Sequence, residues 1–202
     1  MELESLRGLY VDELKDLYNA EQQIIKALPR MEKAAQHQEL KQAFANHLKQ
    51  TERQVQRLER IFSDLDESPR GKKCVGMEGL IEEAKELMQE KPEPEVLDAG
   101  LISKAQHVEH YEIAGYGSVR TYARLLGHEE HAQLLQETLN EEGEADKLLT
   151  GLAERGINLA AAQADSGEED EGIGRRGSRS SGSRSSGSRQ TSGRSRTGRS
   201  TR

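Results

Sequence analysis

The sequence predicts an all-α protein: four long helices forming a bundle, with a short extra helix in one long crossover. Three observations carry this. Strong helix formers (Leu, Ala, Glu, Lys, Gln and Arg) dominate the first 160 positions. Apolar residues recur in stripes at helical spacing. Aromatics make up only 3 % of the 202 residues, with no Trp, which suits a core built from Leu, Ile and Ala stripes.

The first helix is expected from about Leu3 to Ala35, bent near Ala27–Leu28 because Pro29 removes a backbone donor. The second is expected from Glu39 to Leu65. A polar, Gly-containing connection over Asp66–Gly76 leads to the short helix, Met77–Glu90, which Lys91-Pro-Glu-Pro breaks. The fourth is expected from Glu95 to Leu126, with Gly127 closing it, and the fifth from Glu129 to Glu154, stopping at Gly156. Short turns make helices 1–2 and 4–5 antiparallel hairpins. A long connection between two hairpins is the ferritin-like arrangement of a four-helix bundle.

Charge divides the chain. From Gly172 onward there are nine Arg and no acidic residue, a charge of +9. The remainder holds 20 basic and 36 acidic residues, a charge of −16, and is a poor nucleic-acid binder. Residues 1–158 are read as the bundle, 159–172 as an acidic linker and 173–202 as a disordered Arg/Ser/Gly-rich tail, too poor in apolar side chains to order. That tail is either a solubilising extension or a weak, salt-sensitive nucleic-acid contact; without aromatics it would have no sequence specificity.

Cys74 stands alone, so neither an intrachain disulfide nor a cysteine-based zinc site is expected. No basic-plus-apolar leader opens the chain and no run nears the ~20 apolar residues of a membrane span. Cytoplasmic residence, without membrane contact, is the expectation.

The core rows carry the chemistry. In helix 1, Tyr10, Leu17, Ile24 and Met31 form one row, and Leu14, Glu21 and Leu28 the other. Helix 4 gives Leu101, Val108, Gly115 and Tyr122 beside Ala105, Glu112, Val119 and Leu126, with Glu109 on the adjoining edge. In helix 5, Leu135, Glu142 and Leu149 lie beside Thr138, Ala145 and Leu152, and Asp146 follows Glu142 by four. Glu112 and Glu142 each lie 15 residues from Gly127, hence at one depth. Glu21 lies about as far from the turn near Gln36–Gln38, which puts Thr51 and Glu52 at the matching level of helix 2.

A carboxylate buried alone costs several kcal/mol, so such groups are paired, protonated or metal-bound. Carboxylates from four helices suit a pair of iron or manganese ions. The candidate ligands are Glu21, Glu52, Glu109, Glu112, Glu142 and Asp146. The usual pattern adds a His three residues after a Glu on two helices. Here Val55 and Ala145 stand at those places. His47 is an alternative to Glu52 on helix 2, though a plain core histidine is the blander reading. His107, His110, His128 and His131 are expected at the surface, in local hydrogen bonds or near the helix 4–5 turn. The opposing reading is a protonated polar layer that fixes helix register.

Three segments are specific: Glu13-Leu-Lys-Asp-Leu-Tyr-Asn-Ala-Glu-Gln-Gln-Ile, Lys73-Cys-Val-Gly-Met-Glu-Gly-Leu-Ile-Glu-Glu and Gln106-His-Val-Glu-His-Tyr-Glu-Ile-Ala-Gly-Tyr-Gly. Through them the chain resembles the YciE/YciF-type ferritin-like stress proteins of bacteria over residues 1 to about 158. The resemblance implies a ferritin-like homodimer tied to general or osmotic stress, and no storage cage. The wider ferritin–rubrerythrin group implies ligands at Glu21, Glu109, Glu112 and Glu142. It supplies no histidine counterpart at Val55 or Ala145. Two function classes follow: a di-metal protein handling iron or peroxide, or a dimeric structural protein working through its tail.

Overall fold

The computed structural model describes residues 4–166. Helices α1 (Leu6–Ala34), α2 (Gln38–Asp64), α3 (Val75–Glu90), α4 (Pro94–Leu125) and α5 (Glu129–Leu152) appear in the expected order, and no strand occurs among the described residues. The four long helices form the bundle, with α1 against α2 and α4, and α5 against α4 and α2. The short α3 lies across α1 and α4.

The helix ends follow local chemistry. Ser5 caps α1, its hydroxyl accepting from the Gly8 amide at 3.0 Å. Helix α1 runs unbroken through Pro29. At the end of α4, Gly127 takes φ +80°, letting its amide reach Arg124 O and the His128 amide reach Ala123 O. That paired closure satisfies two terminal carbonyls and requires the left-handed region glycine adopts freely. Asp66 ends α2 in the same way at φ +53°.

Two polar clamps fix the connections. Asp98, buried in the first turns of α4, accepts from the backbone amides of Gln36 and His37, each at 2.7 Å, and so holds the α1–α2 turn. The crossover is tied down at Cys74. Its amide donates to Asn19, its carbonyl accepts from Gln23, and its thiol lies 3.0 Å from the Tyr111 hydroxyl. Tyr111 donates in turn to Asp16 at 2.6 Å. At Gly115, a Cβ would fall 2.7 Å from Leu17 Cδ2, so glycine permits the close approach of α1 and α4.

The last helix goes further than the sequence pattern indicates. Beyond Leu152 the chain passes through a π-helical turn, Ala153–Ile157, and kinks at Gly156 rather than stopping there. It continues as α6 (Asn158–Ser166), which packs on α4. Residues 159–166, expected as the start of a linker, are therefore helical. Buried Ile157 supplies the apolar anchor that continues the run. The rest of the linker and the tail, 173–202, lie outside the described residues.

The interior has two apolar clusters. One gathers Tyr10, Leu14, Leu17, Leu58, Ile61, Phe62, Val119 and Leu135 near the α4–α5 turn. The other gathers Ile24, Leu28, Phe44, Leu101, Ala105, Leu149 and Leu152 toward the opposite end. Between them lies a layer of buried polar groups.

Candidate metal centre

Each of the four bundle helices supplies part of that layer. Helix α1 contributes Glu21, α2 His47, Thr51 and Gln54, α4 Glu109, Glu112 and Tyr116, and α5 Glu142. The acids are sealed: exposure is 0 % for Glu21 and Glu142, 1 % for Glu112 and 3 % for Glu109, with His47 at 7 %. One ligand atom from each of His47, Glu109, Glu112 and Glu142 lies within 4.8 Å of the others, the span of one cation's donor set. His47 Nε2 is 3.4 Å from Glu109 Oε1 and 3.7 Å from Glu142 Oε2. Glu21 stands beside Glu112 and Glu142 and feels the charge of Glu142.

Hydrogen bonds orient some oxygens and leave others bare. Tyr116 donates a short bond to Glu21 Oε1, and Gln54 a short bond to Glu142 Oε1. Gln54 also donates to Glu141 Oε2 at 3.1 Å. Arg57 grips both oxygens of Glu141 at 2.7 and 2.8 Å, fixing α2 against α5 next to the layer. Burial works against Glu141's charge, yet those hydrogen bonds hold its carboxyl below the ordinary range. By contrast, Glu21 Oε2, Glu109 Oε2, Glu112 Oε1, Glu142 Oε2 and both ring nitrogens of His47 are buried without a hydrogen-bond partner in the protein. Native interiors rarely leave such groups unmatched.

Burial pushes Glu21, Glu109 and Glu112 well above the usual carboxylate range. Repulsion adds to it, from Glu142 on Glu21 and Glu109 and from Glu21 on Glu112. Burial, then Glu21 and Glu112, raise the Tyr116 phenol. Carboxyl oxygens and imidazole nitrogens held at close quarters, several of them without a hydrogen-bond partner, are the donor types that a hard or borderline cation takes. The residues present fit a metal.

The structure brings together Glu21, Glu109, Glu112 and Glu142. It does not bring Glu52, which is exposed on α2. Depth put Glu52 at the right level, but one residue past Thr51 turns it about 100° off the buried row. His47 reaches the layer instead. Asp146 is also displaced: half-buried at the edge, it accepts from Gln106 at 2.9 Å and lies 3.3 Å from His110 Nε2. The α4 rows shift too, with Glu109 and Tyr116 buried where Val108 and Gly115 were expected. A straight helix drifts ~20° per heptad from a strict seven-residue repeat. Gln54 and Tyr116, which orient the layer's carboxyls, stand beyond the residues expected there. On α2 the signal was available, because Leu40, Phe44, His47, Thr51, Gln54, Leu58 and Ile61 keep alternating steps of four and three.

Comparison with known proteins identifies the family and the fold. Residues 5–162 match the family described as a domain of unknown function, DUF892. The chain is 42 % identical to Protein YciF of Escherichia coli (strain K12) over 162 residues, covering 80 % of this chain and 98 % of that one. The crystal structure of the E. coli stress protein YciF superposes with a TM-score of 0.75 at 41 % identity, covering 77 % of this chain and 99 % of that one. A Rhodopseudomonas palustris protein described as structural gives 0.72 at 41 % identity, covering 74 % and 95 %. A Xanthomonas campestris protein at 23 % identity shares the fold, with a TM-score of 0.64 over 80 % of this chain and 98 % of that one. The protein belongs to the DUF892 family, with a bundle similar to that of the stress protein YciF.

Proposed function

We propose that the buried layer holds a pair of iron or manganese ions and that the protein acts in stress protection, handling iron or peroxide in the cytoplasm. One observation carries the reading: four facing glutamates and a histidine keep six buried donor atoms without a hydrogen-bond partner. His47, Glu109, Glu112 and Glu142 would hold the first ion, and Glu21 adds the carboxyl that a second requires. When bound, such ions supply Lewis acidity and redox capacity.

The protein's own part is orientation and proton release. Gln54 and Tyr116 each fix one oxygen of a ligand carboxyl and leave the other directed inward. Acids that keep their protons when buried must give them up to bind a cation, so loading releases protons. Anaerobic loading followed by metal analysis by mass spectrometry is expected to give near two equivalents per chain. Bound metal unchanged in Glu21→Ala/Glu112→Ala would sink the reading.

A second reading draws on the part of the chain beyond the family match, which ends at 162 while the nine arginines begin at Arg175. In it the bundle is a homodimerisation module, in keeping with a similar protein described as structural, and the tail makes weak contact with nucleic acid. Sedimentation gives the oligomeric state. Metal-independent nucleic-acid binding that survives truncation at Gly172 would contradict this reading.

A further inference from the structure

A second feature opens onto the same layer. Between α1, α3 and α4 lies a cavity of about 220 Å³ whose walls include Leu28, Ile81, Ala84 and Met88. Apolar cavities near ~150 Å³ already hold benzene. Its mouth carries four cations: Lys26, Arg30, Lys85 and Lys104. Lys85 is paired with Glu82 at 2.5 Å and Lys104 with Glu83 at 2.7 Å. Lys26 and Arg30, one turn apart on α1 and both exposed, have no ion-pair partner among the described residues. Two unmatched cations over an apolar cavity are unusual in a chain that carries −16 outside its tail. The inner end is formed by His47 and Glu109.

We propose that this cavity binds an amphipathic monocarboxylate of the medium-chain fatty-acid class, its head on Lys26 and Arg30 and its chain directed inward to the His47–Glu109 edge of the layer. An apolar wall with few convergent polar groups is the usual make-up of a small-molecule site. The long stems of Lys26 and Arg30 can lie along the apolar wall while their charges meet the carboxylate. Ions need no passage here. A separate cavity of about 410 Å³ between α2 and α5, lined by Lys49, Gln50, Arg53 and Glu144, reaches His47 and Glu109 from the other side. That such a ligand is the substrate of the layer rests on the metal-centre reading; its binding does not.

Calorimetric titration of the full chain with decanoate tests this, below the concentration at which decanoate forms micelles. One saturable decanoate per chain is expected, with and without manganese loaded, and decanol about tenfold weaker because it lacks the charge. Lys26→Gln/Arg30→Gln, at exposed positions, should weaken decanoate about tenfold and leave decanol unchanged. Ala84→Phe should fill the cavity and remove both; if that variant does not fold, the Lys26/Arg30 pair decides. No saturable binding, equal affinity for decanol, or indifference to Lys26→Gln/Arg30→Gln would overturn the assignment. Metal bound normally without decanoate binding defeats this inference alone. Decanoate bound normally by a chain that takes no metal defeats the metal-centre reading alone.

Discussion

His47 Nε2 stands 3.4 Å from Glu109 Oε1, joining α2 to α4 across the centre of the bundle. The contact makes His47 the nitrogen donor that α2 offers the layer, and it leaves Glu52 outside. His47→Ala should weaken manganese or iron binding by at least about tenfold, whereas Glu52→Ala should leave it unchanged. Competition titration with a chelator measures both. Equal losses would return Glu52 to the site.

The metal-free protein should be less stable at alkaline than at mildly acidic pH. Glu21, Glu109 and Glu112 have pKa values raised in the folded state, first by burial and then by their acidic neighbours. Above the unfolded carboxylate range the native state therefore holds more protons than the unfolded one. Stability falls as pH rises from about 4.5 toward the raised values, by about 1.4 kcal/mol per pH unit for each proton held in excess, and then levels off. Thermal melts between pH 5 and 8 measure the slope, and metal loading should reverse it.

Glu112→Gln removes one of the mutually repelling acids without changing its shape. It should flatten that pH dependence and raise the metal-free midpoint at pH 8, by about 2–4 °C for each kcal/mol gained. The same variant should lose metal. A lowered midpoint would show that the Glu112 carboxyl makes hydrogen bonds that outweigh the cost of its burial.

Asp98→Ala should destabilise the bundle by about 1–3 kcal/mol, because it removes the acceptor of two part-buried hydrogen bonds from the Gln36 and His37 backbone amides of the α1–α2 turn. Urea denaturation measures the loss. Asp98→Asn, which keeps one carbonyl acceptor, should recover part of it.

Truncation after Glu171 removes all nine tail arginines. It should abolish any nucleic-acid binding by the full chain while the melting midpoint stays the same. In the intact chain the affinity should fall steeply between low and physiological salt. Fluorescence anisotropy with a labelled duplex at two salt concentrations checks both.

The helices and their order were legible in the sequence because each is long, strongly periodic and bounded by its own chemistry, as at Gly127 and Lys91-Pro-Glu-Pro. So was the acid layer on α1, α4 and α5, where Glu21, Glu112 and Glu142 interrupt apolar rows at one depth. Depth fixes a level and the row fixes a face. On α2 Glu52 stands at the right depth, while the buried row through Leu40, Phe44, His47, Thr51 and Gln54 carries a histidine. Glu109, expected on the adjoining edge of the α4 face, lies in the layer, whereas Asp146 stands at the rim with Gln106 and His110. The sequence by itself determined the bundle and the four glutamates of its buried layer, since local periodicity encodes both. Which side chains meet across the centre, and which buried oxygens stay unmatched, only the tertiary structure decided, because both depend on the rotation and separation of helices distant in the chain.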